Sequence, residues 1–384
     1  MLTHLAIEGY RSLRELILSL DKLNVVTGAN GSGKSSLYKA LRLMSDIGQG
    51  TFVRSLALEG GFASVLWAGL EGGPTRNADA SFRPQGTVRQ KPISLKLGCA
   101  GEGLGYAIDL GHPQITKSKF STDAAIKVEA LWHGARLSPS GLIAERRGPA
   151  LRVRDDNDKW PAEWARIDAG DSFLAQHVDQ AYCRDVDYFR KRLSNWRFYD
   201  HFRVDRDAPA RKPQVGVRTP ILSDDGSDLA AALQTILEFG DGISLTRAIE
   251  DAFDESKLTI RDTGGGFVVS LDQRGLMRPL DVGELSDGTL RYLMLCAALL
   301  SPRPPELLIL NEPESSLSPA LIAPLGRLIA AASIESQIIV VTHSKVLSTM
   351  LESKGGNMIE LEKVHGQTQV LGEDRRPAWK WPTR

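Results

Sequence analysis

Cysteine is scarce in this chain. Cys99, Cys183 and Cys296 are an odd number without a CxxC pair, which supports neither a disulfide framework nor a zinc site. A reducing, cytoplasmic compartment is the expectation. Long apolar runs are absent too: Tyr292–Leu300 and Leu307–Leu310 fall far short of the roughly 20 residues that cross a bilayer. The start, MLTHLAIEGYRSL, reads as a strand interrupted by Glu8 and not as a signal peptide, so no membrane partner is expected. Neither sign of charge dominates, with 47 Lys plus Arg against 47 Asp plus Glu; any nucleic-acid surface must therefore be a local patch. Apolar residues at 42% and charged residues at 24% over 384 positions are ordinary globular usage, which excludes global disorder, collagen and a long coiled coil. The 36 glycines and 19 prolines imply many turns.

What is there is an alternation of strand and helix signals at the two ends, with a different pattern between. Strands are expected around Leu5–Glu8, Glu15–Leu20 and Leu23–Thr27, the last running straight into GANGSGKSS. Leu37, Ala40, Leu41 and Met44 then repeat at helical spacing, which predicts a helix from near Lys34. Short strands broken by Gly and Pro follow, at Ile93–Leu97, Tyr106–Leu110, Ile126–Trp132 and Leu151–Arg154, the pattern of an antiparallel meander. Helical spacing returns at Phe173–Leu193, Leu229–Glu238 and Leu245–Phe253, with Asp228 and Ser244 as N-caps. No heptad repeat persists there, so this insertion should be compact and not a coiled-coil arm. Leu290–Leu300 and Leu321–Ala332 read as helices, and Leu307–Leu310 and Gln337–Val341 as strands; that alternation predicts a parallel-sheet α/β region.

Four motifs carry chemistry. In GANGSGKSS, Gly28, Gly33, Lys34 and Ser35 satisfy GxxxxGK[ST]. The glycines let successive backbone N–H groups face phosphate oxygens while the new helix adds its positive end. Lys34 would neutralise the β and γ phosphates and Ser35 would ligate Mg²⁺. In LLILNEPESSLSP an apolar strand stops at Asn311 and Glu312, as strands do where a sheet presents polar groups at its carboxyl edge. Glu312 is the candidate general base toward the water that attacks the γ phosphate. In LSDGTLRYLMLCAALL, Ser286, Asp287 and Gly288 open a helix and offer a second anion-facing helix start. In IIVVTHS, another apolar strand ends at His343, a candidate γ-phosphate contact.

Together these motifs resemble the ATP-binding-cassette superfamily of P-loop ATPases, in its RecF, SMC and OLD-like branch. GANGSGKSS looks like Walker A, LSDGT like the signature motif, LLILNEP like Walker B and THS like the switch histidine. The opening LAIEGYRSL is similar to the start of SMC and RecF heads, which makes Arg11 a candidate nucleotide contact. The NEPE form and the WPTR end are similar to predicted bacterial RecF-like ATPases. The resemblance implies one ABC-type ATPase head over 1–384: a nucleotide-binding core at 1–60 and 275–372, an antiparallel β lobe at 61–170, a helical insertion at 171–274 and a basic aromatic tail at 373–384. It implies ATP held by Arg11, Gly28, Asn30, Gly31, Ser32, Gly33, Lys34, Ser35 and Ser36, Mg²⁺ held by Ser35 and Asn311, and a head-to-tail homodimer that closes Ser286 and Gly288 over the partner's ATP. Glu312, Lys34 and His343 would be catalytic.

Two positions depart from that pattern. Asn311 replaces the usual Asp and removes a negative charge near the metal. Asp287 replaces a Gly, and its carboxylate must point away from phosphate or repel it. Gln85 and Gln90 are the candidates for a Q-loop glutamine. Residues 190–218 hold nine Lys or Arg against three Asp, interleaved with Trp196, Phe198, Tyr199 and Phe202; this suits nucleic acid, but a helix end followed by a loop whose aromatics cover the core is the reading favoured. Arg375, Arg376, Trp379, Lys380, Trp381 and Arg384 pose the same question in the tail. DHFRVDRD lacks metal-ligand spacing and reads as a polar loop. DNA and a separate effector protein are thus the candidate partners, in DNA repair or anti-phage defence. The alternatives are an ATP-dependent scaffold with very slow hydrolysis or, against the long insertion, a transporter's ATP-binding subunit. The roughly 40 residues after His343 are too few for the extra nuclease domain of OLD-like relatives.

Overall fold

The structure, a computed structural model, describes residues 1–69, 92, 94–113, 119–155, 157–161, 164–176, 184–372 and 377–384. In chain order the elements are β1 (Leu2–Tyr10), β2 (Leu13–Ser19), β3 (Leu23–Gly28), α1 (Lys34–Gln49), α2 (Phe52–Leu58), α3 (Phe62–Val65), β4 (Leu95–Gly101), β5 (Leu104–Gly111), β6 (Ala125–His133), β7 (Leu142–Arg147), β8 (Ala150–Val153), β9 (Ala165–Arg166), α4 (Arg184–Ser194) and β10 (Arg197–Tyr199). After these come α5 (Leu229–Phe239), α6 (Gly242–Ala252), β11 (Lys257–Asp262), β12 (Phe267–Asp272), β13 (Leu280–Asp281), α7 (Asp287–Leu299), β14 (Leu307–Asn311), α8 (Pro319–Ala332), β15 (Gln337–Val341), α9 (Lys345–Ser353), β16 (Asn357–Val364) and β17 (Gln367–Val370). They fall into two compact units, one of Met1–Asp21, Gly28–Asn195 and Ile359–Arg384, the other of Lys22–Thr27 and Trp196–Met358.

The first unit is built on an antiparallel sheet in the order β2-β1-β4-β5-β6-β7-β8-β9. β5 is buried along its whole length, as expected of a strand covered on both faces. The tail covers part of this sheet. Trp379 lies against Gly98, where even a Cβ would meet its ring, and its ring sits 5.9 Å from that of Trp132. Lys96 stacks on Trp381, and Arg384 grips the buried Asp109 at 2.6 and 2.9 Å. Those tail aromatics and Arg384 are spent on packing and pairing; Arg375 and Arg376 lie outside the described residues. α1 packs on α4, where Gly48 leaves no room for a side chain beside Leu193 and Ser45 Oγ donates to the Leu193 carbonyl at 2.9 Å.

The second unit carries a parallel sheet, β10-β14-β15-β3. Its strands are near-continuous apolar runs, QIIVV being buried throughout, because helices lie over a parallel sheet. α7 is buried from Leu290 to Leu299 and shares one core with α5, α6, α8 and the sheet. The stretch 171–274, expected to be helical, holds α4, α5 and α6 but also β10 and the antiparallel β11–β12 hairpin. Of Phe173–Leu193 only α4 is described as helix, and its first part includes residues outside those described. Ser244 does not cap α6. The helix begins at Gly242, and Asp241 takes the cap by accepting the Ser244 N–H at 2.9 Å. Asp228 stands at the N-cap of α5 but accepts from Ser223 instead, at 2.7 and 2.9 Å, bracing the preceding loop. Among the described residues no helix is long and apolar enough to cross a membrane.

Candidate functional site

Register sets the site's frame. In the parallel sheet Asn311 pairs with Val341 and Val341 with Val26, so β14, β15 and β3 end level at one carboxyl edge. Asn311 and Glu312 leave β14 there, Thr342 and His343 leave β15, and the chain leaves β3 into the phosphate loop.

Gly28, Gly31 and Gly33 all have positive φ, at 141°, 78° and 113°, a region closed to most L-residues. A Cβ on Gly28 would strike the Leu361 carbonyl oxygen at 2.1 Å, and one on Gly33 the Thr368 hydroxyl at 2.1 Å. The loop is therefore held against the β16–β17 hairpin of its own unit, while Gly31 faces open space. Thr368, fully buried, bonds the Ser32 carbonyl at 2.7 Å and the Ser12 hydroxyl at 2.8 Å, tying the loop to the β1–β2 turn. Lys34 Nζ donates to the Gly28 and Ala29 carbonyls at 2.6 and 2.9 Å, so its ammonium lies within the loop. Ser32 Oγ is buried without a hydrogen-bond partner, an orphan that a phosphate oxygen would satisfy. Asn30 and Ser35 are exposed and Ser36 half-buried, at the loop and first turn of α1. Arg11 occupies the β1–β2 turn at φ 49°, beside this loop's anchor Ser12. Its guanidinium bonds Glu59 and Tyr10; burial, which would lower its pKa, is outweighed by those two partners, and the net direction is up.

The second group lies in the other unit. Glu312 has φ 46°, a left-handed backbone that costs a non-glycine residue about 1–3 kcal/mol and recurs at functional sites. Three bonds enforce it: its N–H donates to Val341 O at 2.8 Å, and its carbonyl accepts from Ser315 N at 3.0 Å and Arg291 Nη2 at 3.1 Å. His343 Nε2 stands 3.3 Å from Glu312 Oε1. Glu314, which sequence reasoning did not single out, holds the turn after β15 by accepting from the backbone N–H groups of His343 and Ser344 at 3.0 and 3.1 Å. Ser286 caps α7, accepting from Thr289 N at 3.1 Å, and is exposed. Gly288 is required, because a Cβ there would meet Ser316 O at 2.8 Å.

Asp287 does not lie bare. Arg211 Nη2 donates to it at 2.6 Å, and the same guanidinium donates to the Val204, Val282 and Leu285 carbonyls. The repulsion expected of a carboxylate at the start of α7 is thereby offset by an arginine only 8% exposed. Arg211 could not be assigned from sequence because it lies 76 residues before its partner. The aromatic residues of the basic segment take the covering role: Trp196, Phe198, Tyr199 and Phe202 are 2–5% exposed and unavailable for stacking on bases. Several of its cations are also engaged, Arg190 and Lys191 with Asp187 and Arg203 with Asp205. Gln85 and Gln90 lie outside the described residues, as does Cys183. Cys99 and Cys296 are buried and free.

In the second unit the Asn311 amide oxygen is a hard donor of the kind Mg²⁺ takes alongside phosphate oxygens, with the Asp200 carboxylate hydrogen-bonded to its amide nitrogen; in the first unit the Ser35 hydroxyl is another such donor. Among the described residues no group of three or more His, Cys, Asp or Glu could hold a metal ion.

Fold and site together define a P-loop ATPase head of the ABC and SMC-like type. Residues 23–349 match the family described as "AAA domain, putative AbiEii toxin, Type IV TA system", and the chain belongs to that family. No curated protein matches it. Among solved structures it is similar to the crystal structure of the SmcHead bound to the C-winged helix domain of ScpA, at 14% identity over 96% of this chain and 97% of that one, TM-score 0.52. It is also similar to the SMC head domain from Thermotoga maritima, at 14% identity over 97% and 99%, TM-score 0.48. At 14% identity the first of these likenesses, with TM-score 0.52, is one of fold alone.

Proposed function

We propose that this chain binds ATP with Mg²⁺, hydrolyses it, and couples the cycle to closing and opening of a head-to-tail homodimer. The observation that carries the reading is the phosphate loop, whose Gly28 and Gly33 adopt left-handed backbone with no space for a side chain. Such a loop before a helix N-terminus suits an anion, and with the GxxxxGK[ST] spacing a nucleotide polyphosphate. Arg11, Asn30, Gly31, Ser32, Ser35 and Ser36 complete the nucleotide contacts, and Lys34 moves its ammonium from loop carbonyls onto the β and γ phosphates. Glu312, beside His343, polarises the attacking water while His343 meets the γ phosphate. Ser35 and Asn311 hold Mg²⁺, which when bound neutralises charge developing on the phosphates. Ser286 and the N–H groups at Gly288 bind the γ phosphate of the partner's ATP, an attraction lost once phosphate leaves.

Isothermal titration with ATP and ADP, and phosphate release from wild type, Lys34→Ala and Glu312→Gln, test this. Lys34→Ala should lose binding; Glu312→Gln should bind and accumulate as a dimer by light scattering with ATP. A wild-type chain that gives no heat with either nucleotide would sink the reading.

Asn311 in place of Asp favours a second reading, a slow ATPase that serves as a scaffold for an effector. Phosphate release no faster for wild type than for Glu312→Gln, with dimerisation intact, selects it. Action on DNA, or on a DNA-processing or defence effector, rests on the likeness to the RecF and SMC branch. Its test is a gel shift whose ATP-dependent affinity falls steeply with salt.

A further inference from the structure

Asn311 removes a charge from the metal side of the site, yet the structure returns one from the next strand. β10 runs parallel beside β14 with Tyr199 opposite Leu310, so the residues that follow, Asp200 and Asn311, leave the sheet side by side. Asn311 Nδ2 donates to Asp200 Oδ1 at 2.8 Å. That bond fixes the amide: the reverse orientation would set oxygen against oxygen, so the Asn311 Oδ1 is the atom left to accept or to ligate. Arg291, buried in α7, ties the two strand ends together from behind, donating through Nη2 to the Asp200 carbonyl at 3.2 Å and to the Glu312 carbonyl at 3.1 Å. Asp200 is held in place at backbone and side chain, and its carboxylate remains 21% exposed.

We propose that the Asn311–Asp200 pair replaces the single aspartate of related heads, Asn311 supplying the oxygen and Asp200 the negative charge that holds the divalent cation. This rests on the nucleotide-site reading above. A carboxylate on the N–H side of an amide polarises the carbonyl and raises its strength as a ligand, the outer-shell effect worth about 10–100-fold in metal affinity elsewhere. Asp200 is thus a positioning residue, and the segment DHFRVDRD is more than a polar loop at its first position.

The test compares ADP affinity in Mg²⁺ with ADP affinity in EDTA, by calorimetry, for wild type, Asp200→Asn and the exchanged pair Asp200→Asn with Asn311→Asp. Asp200→Asn should shrink the Mg²⁺-dependent gain about tenfold and leave the metal-free affinity unchanged; the exchanged pair should restore the gain. An Asp200→Asn protein that keeps the full gain, or loses both affinities alike, overturns the proposal. No ADP binding by wild type in either buffer overturns instead the nucleotide site on which it rests. Wild-type protein supplies an independent readout: Fe²⁺ in place of Mg²⁺, with ADP, ascorbate and peroxide, should cut the backbone beside residues 200 and 311. Cuts at 311 without cuts at 200 also overturn it.

Discussion

Glu314 holds His343. One carboxylate oxygen of Glu314 accepts the His343 backbone N–H at 3.0 Å and the next N–H, that of Ser344, at 3.1 Å, so the residue two places after the candidate base sets the backbone that carries His343, the candidate γ-phosphate contact. Glu314→Ala removes a charged acceptor shared by an exposed and a half-buried N–H, which costs about 1 kcal/mol. Thermal melts should register that loss. Phosphate release should fall about tenfold while ADP affinity stays within twofold, because the phosphate loop is untouched. A variant with native melting and turnover would show that the turn after β15 holds itself.

Gly33→Ala sets a methyl group 2.1 Å from the Thr368 hydroxyl at φ 113°. Nucleotide affinity should drop at least a hundredfold by calorimetry. Adding Thr368→Ala frees the space but not the dihedral angle, so recovery should be partial. Full recovery would mean that crowding alone shaped the loop.

Arg211→Met leaves Asp287 without its cation and three carbonyls without donors. The expected loss is about 3 kcal/mol in stability, together with ATP-dependent dimerisation of Glu312→Gln protein. Adding Asp287→Gly removes the bare carboxylate and should bring back the dimer but not the stability. Light scattering and chemical unfolding read the two effects separately; dimerisation that stays lost would remove Arg211 from any electrostatic role at the start of α7.

Glu145 predicts a pH dependence. Burial alone would raise its pKa, but Arg152 and Arg147 outweigh burial and hold it below the ordinary glutamate value of 4.5. A depressed folded-state pKa stabilises above the unfolded value and loses that contribution as pH falls through the folded one. Unfolding free energies of wild type and Glu145→Gln should therefore differ at pH 7 and converge below pH 4.5. A gap that widens in acid would contradict the assignment.

Local chemistry was written in the chain. GANGSGKSS announced its loop because backbone freedom and a phosphate cradle both depend on neighbouring residues; α1 followed from apolar period, and β3, β14 and β15 from short apolar runs. The N-cap of α6 was misread because two acceptors, Asp241 and Ser244, lie three residues apart and either could open a helix; the backbone chose the earlier. The β11–β12 hairpin and β17 were missed, since short half-polar strands carry little periodicity.

The sequence by itself determined that a glycine-rich P-loop precedes a helix and that acidic and imidazole groups end two buried strands, since each signal spans fewer than a dozen residues. Only tertiary structure decided what those groups would feel. Asp200 reaches Asn311 across 111 positions, Arg211 reaches Asp287 across 76, and Thr368 reaches Ser32 across 336. Strand register and core packing bring such partners together, and a charge absent from one motif can be supplied by a strand that no motif names.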